Sequence, residues 1–219
     1  MTPATDWFSR LATAAIAVSG CLRGGPFRLR RHPSRSAPRA LRRPPWVLVL
    51  LALGVSAQAF AAPASENQVK AIFLFNFSQF VSWPTEAFAQ PGAPLVIAVL
   101  GADPFGEDLD AAVRGERVGD RPLEIRRFRN VAEVKDCQIL FIDRSETARL
   151  GEIIAALRGR SILTVSDADD AAKRGVIIQF VTDNNRIRLR INAAAARADG
   201  LTISSKLLRP AQIVDSGGA

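Results

Sequence analysis

One apolar run and three further strand-like segments constrain this chain most. "PLVIAVLG" (residues 94–101) has no polar residue and ends in glycine; "LEIRRF" (123–128), "QILFID" (138–143) and "SILTVS" (161–166) follow it. A run with no polar alternation marks a strand buried on both faces. Helical patterns separate the runs: Phe105–Val113, a short one at Val131–Lys135, and Glu146–Leu157. Strand–helix alternation of this kind predicts an α/β fold, a single domain with a largely parallel sheet and helices on both faces. The end of the chain breaks the pattern. "VIIQFV", then Asp183-Asn184-Asn185, then "RIRLRIN" read as a C-terminal antiparallel hairpin. Ile187, Leu189 and Ile191 point one way, and Arg186, Arg188 and Arg190 the other. Asn192 suits the cap of a short helix that Gly200 ends.

Charge divides the chain in two. The whole carries +8, but nine of its 29 basic residues and one of its 21 acids, Asp6, precede Phe60. The remainder is balanced, with 20 basic and 20 acidic residues. The basic excess belongs to a leader, residues 1–59. "RALRRPP" is a basic segment, residues 46–56 form an apolar run, and Ala57-Gln58-Ala59 is an A-x-A cleavage site. The expected product of cleavage after Ala59 is a periplasmic chain, residues 60–219. The alternative is an uncleaved N-terminal membrane anchor, although the apolar run is shorter than the ~20 residues of a spanning helix. A neutral exported domain gives no footing for nucleic acid.

Residues 60–219 contain no histidine, no tyrosine and one cysteine, Cys137. Ser-His-Asp and Cys-His catalysis and ordinary zinc sites are thereby excluded from this part of the chain. No catalytic residue, metal or cofactor is assigned. Cys137, at the start of a strand, is expected to be buried without a disulfide partner.

"NQVKAIFLFNFSQFVSWP" (67–84) holds four phenylalanines and a tryptophan. At 100° per residue Val69, Ile72, Phe73, Asn76, Phe77, Phe80 and Trp83 share one face, the expected core face. Asn76 would then be a structural amide tied to a neighbouring backbone. Pro84 should end the helix after Trp83. Leu74 and Phe75 fall off the main face and are candidates for partner contact. The ladder Arg186, Arg188 and Arg190 is either the wet side of a strand or a surface for an acidic partner. Asp103 and Pro104 in "GADPFG" suit a helix N-terminus, and Asp167 and Asp169 in "VSDADD" suit capping better than a cation site. Ser204, Ser205 and Lys206 form a candidate anion-binding turn.

The segments "VKAIFLFNFSQFVSWP", "VIAVLGADPFG", "CQILFID", "ILTVSD", "NRIRLRIN" and "ISSKLLR", in this order, resemble the YfiR family of exported bacterial proteins. The resemblance implies a small periplasmic α/β protein that is not an enzyme. It further implies repression of a membrane-bound diguanylate cyclase, tuning cyclic-di-GMP and biofilm formation, or regulation of another membrane sensor. An outer-membrane lipoprotein that sequesters the repressor and a second copy of the chain are further candidate partners. Some relatives carry cysteine pairs; Cys137 has no mate, which speaks against redox control by an internal disulfide. The alternative is a periplasmic small-ligand-binding protein with a pocket at the carboxyl ends of the parallel strands.

Overall fold

Strand β2 (Leu95–Leu100) is buried at every residue. It pairs in parallel with β4 (Arg121–Phe128) on one side and β5 (Ile139–Ile142) on the other. Leu95, Ile97 and Val99 enter one hydrophobic core and Val96, Ala98 and Leu100 a second. That two-sided burial is the physical reason for the unbroken apolar run. The computed structural model describes residues 64–184 and 186–214. The leader, its 46–56 run and the Ala59 cleavage site lie outside the described residues.

β6 (Leu163–Ser166) and β7 (Ile178–Asp183) extend the parallel sheet beyond β5. β8 (Arg186–Ile191) closes the expected hairpin, pairing antiparallel with β7. The eight-stranded order is β10-β8-β7-β6-β5-β2-β4-β3, with β3 (Arg117–Val118) antiparallel to β4 and β10 (Gln212–Ile213) parallel to β8. A separate two-stranded sheet joins β1 (Val81–Ser82) to β9 (Thr202–Ile203). The fold is therefore α/β, with a mostly parallel, doubly wound sheet.

Helix α1 (Glu66–Phe80) and α2 (Glu107–Val113) cover the first core, where residues of α4 (Ala193–Ala198) and α5 (Ser205–Leu208) also pack. α3 (Leu150–Leu157) covers the second through Leu150, Ile153, Ile154 and Leu157. Among the described residues no helix is long and apolar enough to cross a membrane.

Three local readings are corrected. α2 begins at Glu107, because Gly106 has φ +50 and breaks the helical path. The Asp103 carboxylate instead accepts from the Phe105 amide at 2.9 Å and pairs with Arg127 at 2.6 Å. The segment at Val131–Lys135 is a single 3-10 turn, Val131–Glu133. The helix at Glu146–Leu157 is a 3-10 stretch, Arg144–Arg149, followed by α3.

The larger correction concerns α1. Its buried residues are Lys70, Ala71, Leu74, Phe77 and Ser78. The core face is rotated roughly 140° from the stripe centred on Val69, Phe73, Asn76 and Phe80, at 100° per residue. Leu74, expected to be available to a partner, is 0 % exposed. Phe75 is half-buried against the first core, and Ile72, expected inside, is 39 % exposed. Asn76 is half-buried. The amide that ties α1 to a backbone is Asn67, which donates to the Pro104 carbonyl at 2.8 Å. The helix starts with a capping box, in which Ser65 Oγ accepts from the Gln68 amide and Gln68 Oε1 accepts from the Ser65 amide.

Candidate functional site at the carboxyl ends of β5, β6 and β7

β2 is followed through α2 by β4 on one side, whereas β5 is followed through α3 by β6 on the other. Open α/β sheets bind ligands at such a reversal. Here the reversal is tightly packed. Gly101, φ +94, follows β2, and a Cβ there would lie 2.7 Å from Ser145 Oγ and 2.9 Å from Glu146 Cγ. Ser145 Oγ accepts from the Ala102 amide at 3.2 Å. Open space lies further along, over β5, β6 and β7.

One crevice of about 540 Å³ is lined by Glu66 and Lys70 of α1, Asp143 and Arg144 after β5, Asp167 after β6, and Thr182 of β7. A second, of about 340 Å³, shares Arg144, Asp167 and Thr182 and continues to Asp169, Asp170 and Arg190. Asp167, common to both, is held in an ion pair. Lys70 Nζ donates to Asp167 Oδ2 at 2.7 Å and lies 2.7 Å from Glu66 Oε1. The Lys70 side chain is 4 % exposed, that of Asp167 10 %, and that of Glu66 46 %. Thr182 Oγ1 also donates to Glu66, at 2.9 Å. The Lys70 hydrogen bond, more than any other contact, holds the Glu66 carboxyl below the usual range.

Arg144 closes the arrangement from solvent. Its Nε donates to the Asp167 carbonyl at 3.1 Å and stands 3.4 Å from Asp167 Oδ2. The loop beneath is fixed by Ser166, whose hydroxyl donates to the Ile142 carbonyl at 2.7 Å and accepts from the Ala168 amide at 3.1 Å. Asp167 Oδ1 is buried and has no hydrogen-bond partner among the described residues. An unsatisfied buried acceptor costs about 1–3 kcal/mol.

The residues singled out from sequence are scattered. Asp103 belongs to a clamp in which Arg127 also pairs with Asp110 at 2.6 Å. These two carboxylates push the Arg127 guanidinium further up, so it is cationic throughout the working pH range. Arg188 pairs with Asp183 across the hairpin at 3.3 Å, Arg190 Nε donates to Gln212 Oε1 at 3.1 Å, and Arg186 is exposed. Arg188 and Arg190 line a groove of about 660 Å³ with Pro210, Ala211 and Gln212. Ser204 Oγ caps the short α5 by accepting from the Lys206 amide at 3.3 Å, while Ser205 and Lys206 face solvent. These three residues line none of the three crevices.

Cys137 is a free, buried thiol, pushed up to about 12 chiefly by burial. Trp83 Nε1 donates to the Gln138 carbonyl at 3.1 Å, and Pro84 follows in extended backbone. Sequence reasoning missed Lys70, Glu66, Arg144 and Thr182 as a group. The one local signal was the Glu66–Lys70 spacing of four.

A family model described as YfiR/HmsC-like matches residues 67–212. No curated protein matches the sequence. Among solved structures, an ABC domain from Streptococcus pneumonia in complex with L-Trp is similar at 12% identity and a TM-score of 0.48. The alignment covers 66% of this chain and 60% of that one.

Proposed function

Since the chain belongs to the YfiR/HmsC-like family, we propose that it is an exported, non-catalytic regulator that represses a membrane-bound diguanylate cyclase by contact with the cyclase's periplasmic domain. The observation that carries this reading is the orientation of α1. Its apolar stripe of Val69, Ile72, Phe73 and Phe80 stays half-buried or exposed, while Lys70 and Ser78 turn inward. A helix that turns a lysine inward and leaves Ile72 exposed, with Phe73 and Phe80 only partly covered against the first core, has apolar surface to offer a partner, and such side chains anchor interfaces. The Arg186–Arg188 end of the hairpin supplies charge that steers an acidic partner. An outer-membrane lipoprotein and a second copy of the chain are the other partners this surface would take.

The chemistry of the crevice also favours regulation over catalysis. Its most buried carboxylate, Asp167, is held by Lys70 and Arg144, and Asp103 by Arg127, so neither stands free as an acid or base. A second reading, a periplasmic small-ligand-binding protein, draws on the open space beside Asp167.

Deleting the gene tests the proposal. Cellular cyclic-di-GMP and surface attachment should rise, and wild-type protein supplied in trans should lower them again. Ile72→Glu, at an exposed position, should remain folded and fail to restore repression. Unchanged cyclic-di-GMP after deletion would sink the repressor reading.

A further inference from the structure

The geometry points to a binding site for a small organic cation with a primary ammonium group, on the Asp167 carboxylate where the two crevices meet. Asp167 is 8 % exposed, yet its Oδ1 accepts no hydrogen bond among the described residues. Its other oxygen is taken by Lys70 at 2.7 Å. A carboxylate buried this deeply ordinarily fills all its acceptor positions. The group that fits Oδ1 is a donor, and a cationic donor gains most from a buried carboxylate.

Charge around the site selects the sign of the ligand. The two crevices are lined by five carboxylates, Glu66, Asp143, Asp167, Asp169 and Asp170, against the cations Lys70, Arg144 and Arg190. Lys173, outside both, takes Asp170 at 2.8 Å. One negative charge remains in excess, which repels anions and attracts cations. Volumes of about 540 and 340 Å³ suit a small molecule.

Access is set by Arg144. Its side chain is 62 % exposed and meets Asp167 only through Nε, at 3.1 Å to the carbonyl and 3.4 Å to Oδ2. Oδ1 is closed to solvent while Arg144 rests against Oδ2, so an incoming ammonium reaches the carboxylate only by displacing this tethered guanidinium. Lys70, on α1, stays where it is. The site is independent of the repression proposal and is tested without any cyclase.

The probe is 1,4-diaminobutane, titrated calorimetrically into the purified protein at low ionic strength. Succinate and 1,4-butanediol serve as anionic and neutral controls. Saturable one-to-one binding of the diamine, and of neither control, is expected. Arg144→Gln removes the competing cation and should tighten binding several-fold. Asp167→Asn should weaken it about tenfold or more, since a hydrogen bond to a charged group is lost. If Asp167→Asn does not fold, amide NMR shifts of the wild-type protein decide the matter. Diamine-induced shifts should concentrate at residues 143–146, 167–170 and 182. Absence of saturable binding, equal binding by the diol, shifts spread over surface acids, or unchanged affinity in Arg144→Gln would each overturn the inference.

Discussion

Replacing Lys70 with methionine keeps the aliphatic stem inside the first core and deletes only the charge. Asp167 then loses its 2.7 Å partner while staying buried. Breaking a buried ion pair from one side costs about 3–5 kcal/mol, because the other charge is left uncompensated. Arg144 remains 3.4 Å from Oδ2, but its side chain is more than half exposed and screened by water, so it offsets only part of this. The expected loss is therefore about 3 kcal/mol, a fall in Tm of roughly 6–12 °C for a domain of this size. The double variant Lys70→Met/Asp167→Leu removes both charges and should return to within about 1 kcal/mol of the wild type. Urea unfolding followed by circular dichroism measures all four corners of the cycle. A Lys70→Met loss below about 1 kcal/mol, or a double variant as unstable as the sum of the singles, would refute the view that this pair is desolvated and coupled.

The rotation of α1 makes a paired prediction. Leu74→Ala, at a fully buried site, should cost about 3–5 kcal/mol, whereas Ile72→Ala should cost under about 1 kcal/mol, both read from urea midpoints. Reversed magnitudes would restore the Val69–Asn76 face as the core. Cys137 should not react with a disulfide reagent in the native protein at pH 8 and should titrate as one thiol among residues 60–219 after unfolding. Its folded-state value, about 12, lies above the ordinary 9.0, so the unfolded chain releases this proton first. Native stability should consequently fall as pH rises from about 9 towards 12, and Cys137→Ala should flatten that part of the pH–stability curve.

The sheet was legible because its chemistry is local. β2 is buried on both faces, so no residue from Leu95 to Leu100 is polar, and the hairpin alternates strictly from Arg186 to Ile191. The capping box of Ser65 and Gln68 is equally local, a serine followed three residues later by glutamine. The rotation of α1 was not readable. This helix has apolar residues on every side, so periodicity alone does not single out one inward face. The choice is settled by Asp167, 97 residues away, which draws the Lys70 side of the helix inward. Asp103 misled for a related reason: a carboxylate before a glycine-broken turn looks like a helix cap, and Arg127 on a distant strand claims it. The crevice shares that cause, since Glu66, Arg144, Asp167 and Thr182 meet only through the crossovers of the sheet.

Trp83 has an optical consequence. It is the one tryptophan in residues 60–219. Its indole nitrogen is fastened to the Gln138 carbonyl, and the Gln138 side chain in turn bonds Ala87 and Val96. A single emission band from a chain of residues 60–219 therefore reports whether the segment leaving α1 is still latched to the start of β5. Comparing its wavelength with far-ultraviolet ellipticity during denaturation separates release of that latch from collapse of the sheet, without any introduced label.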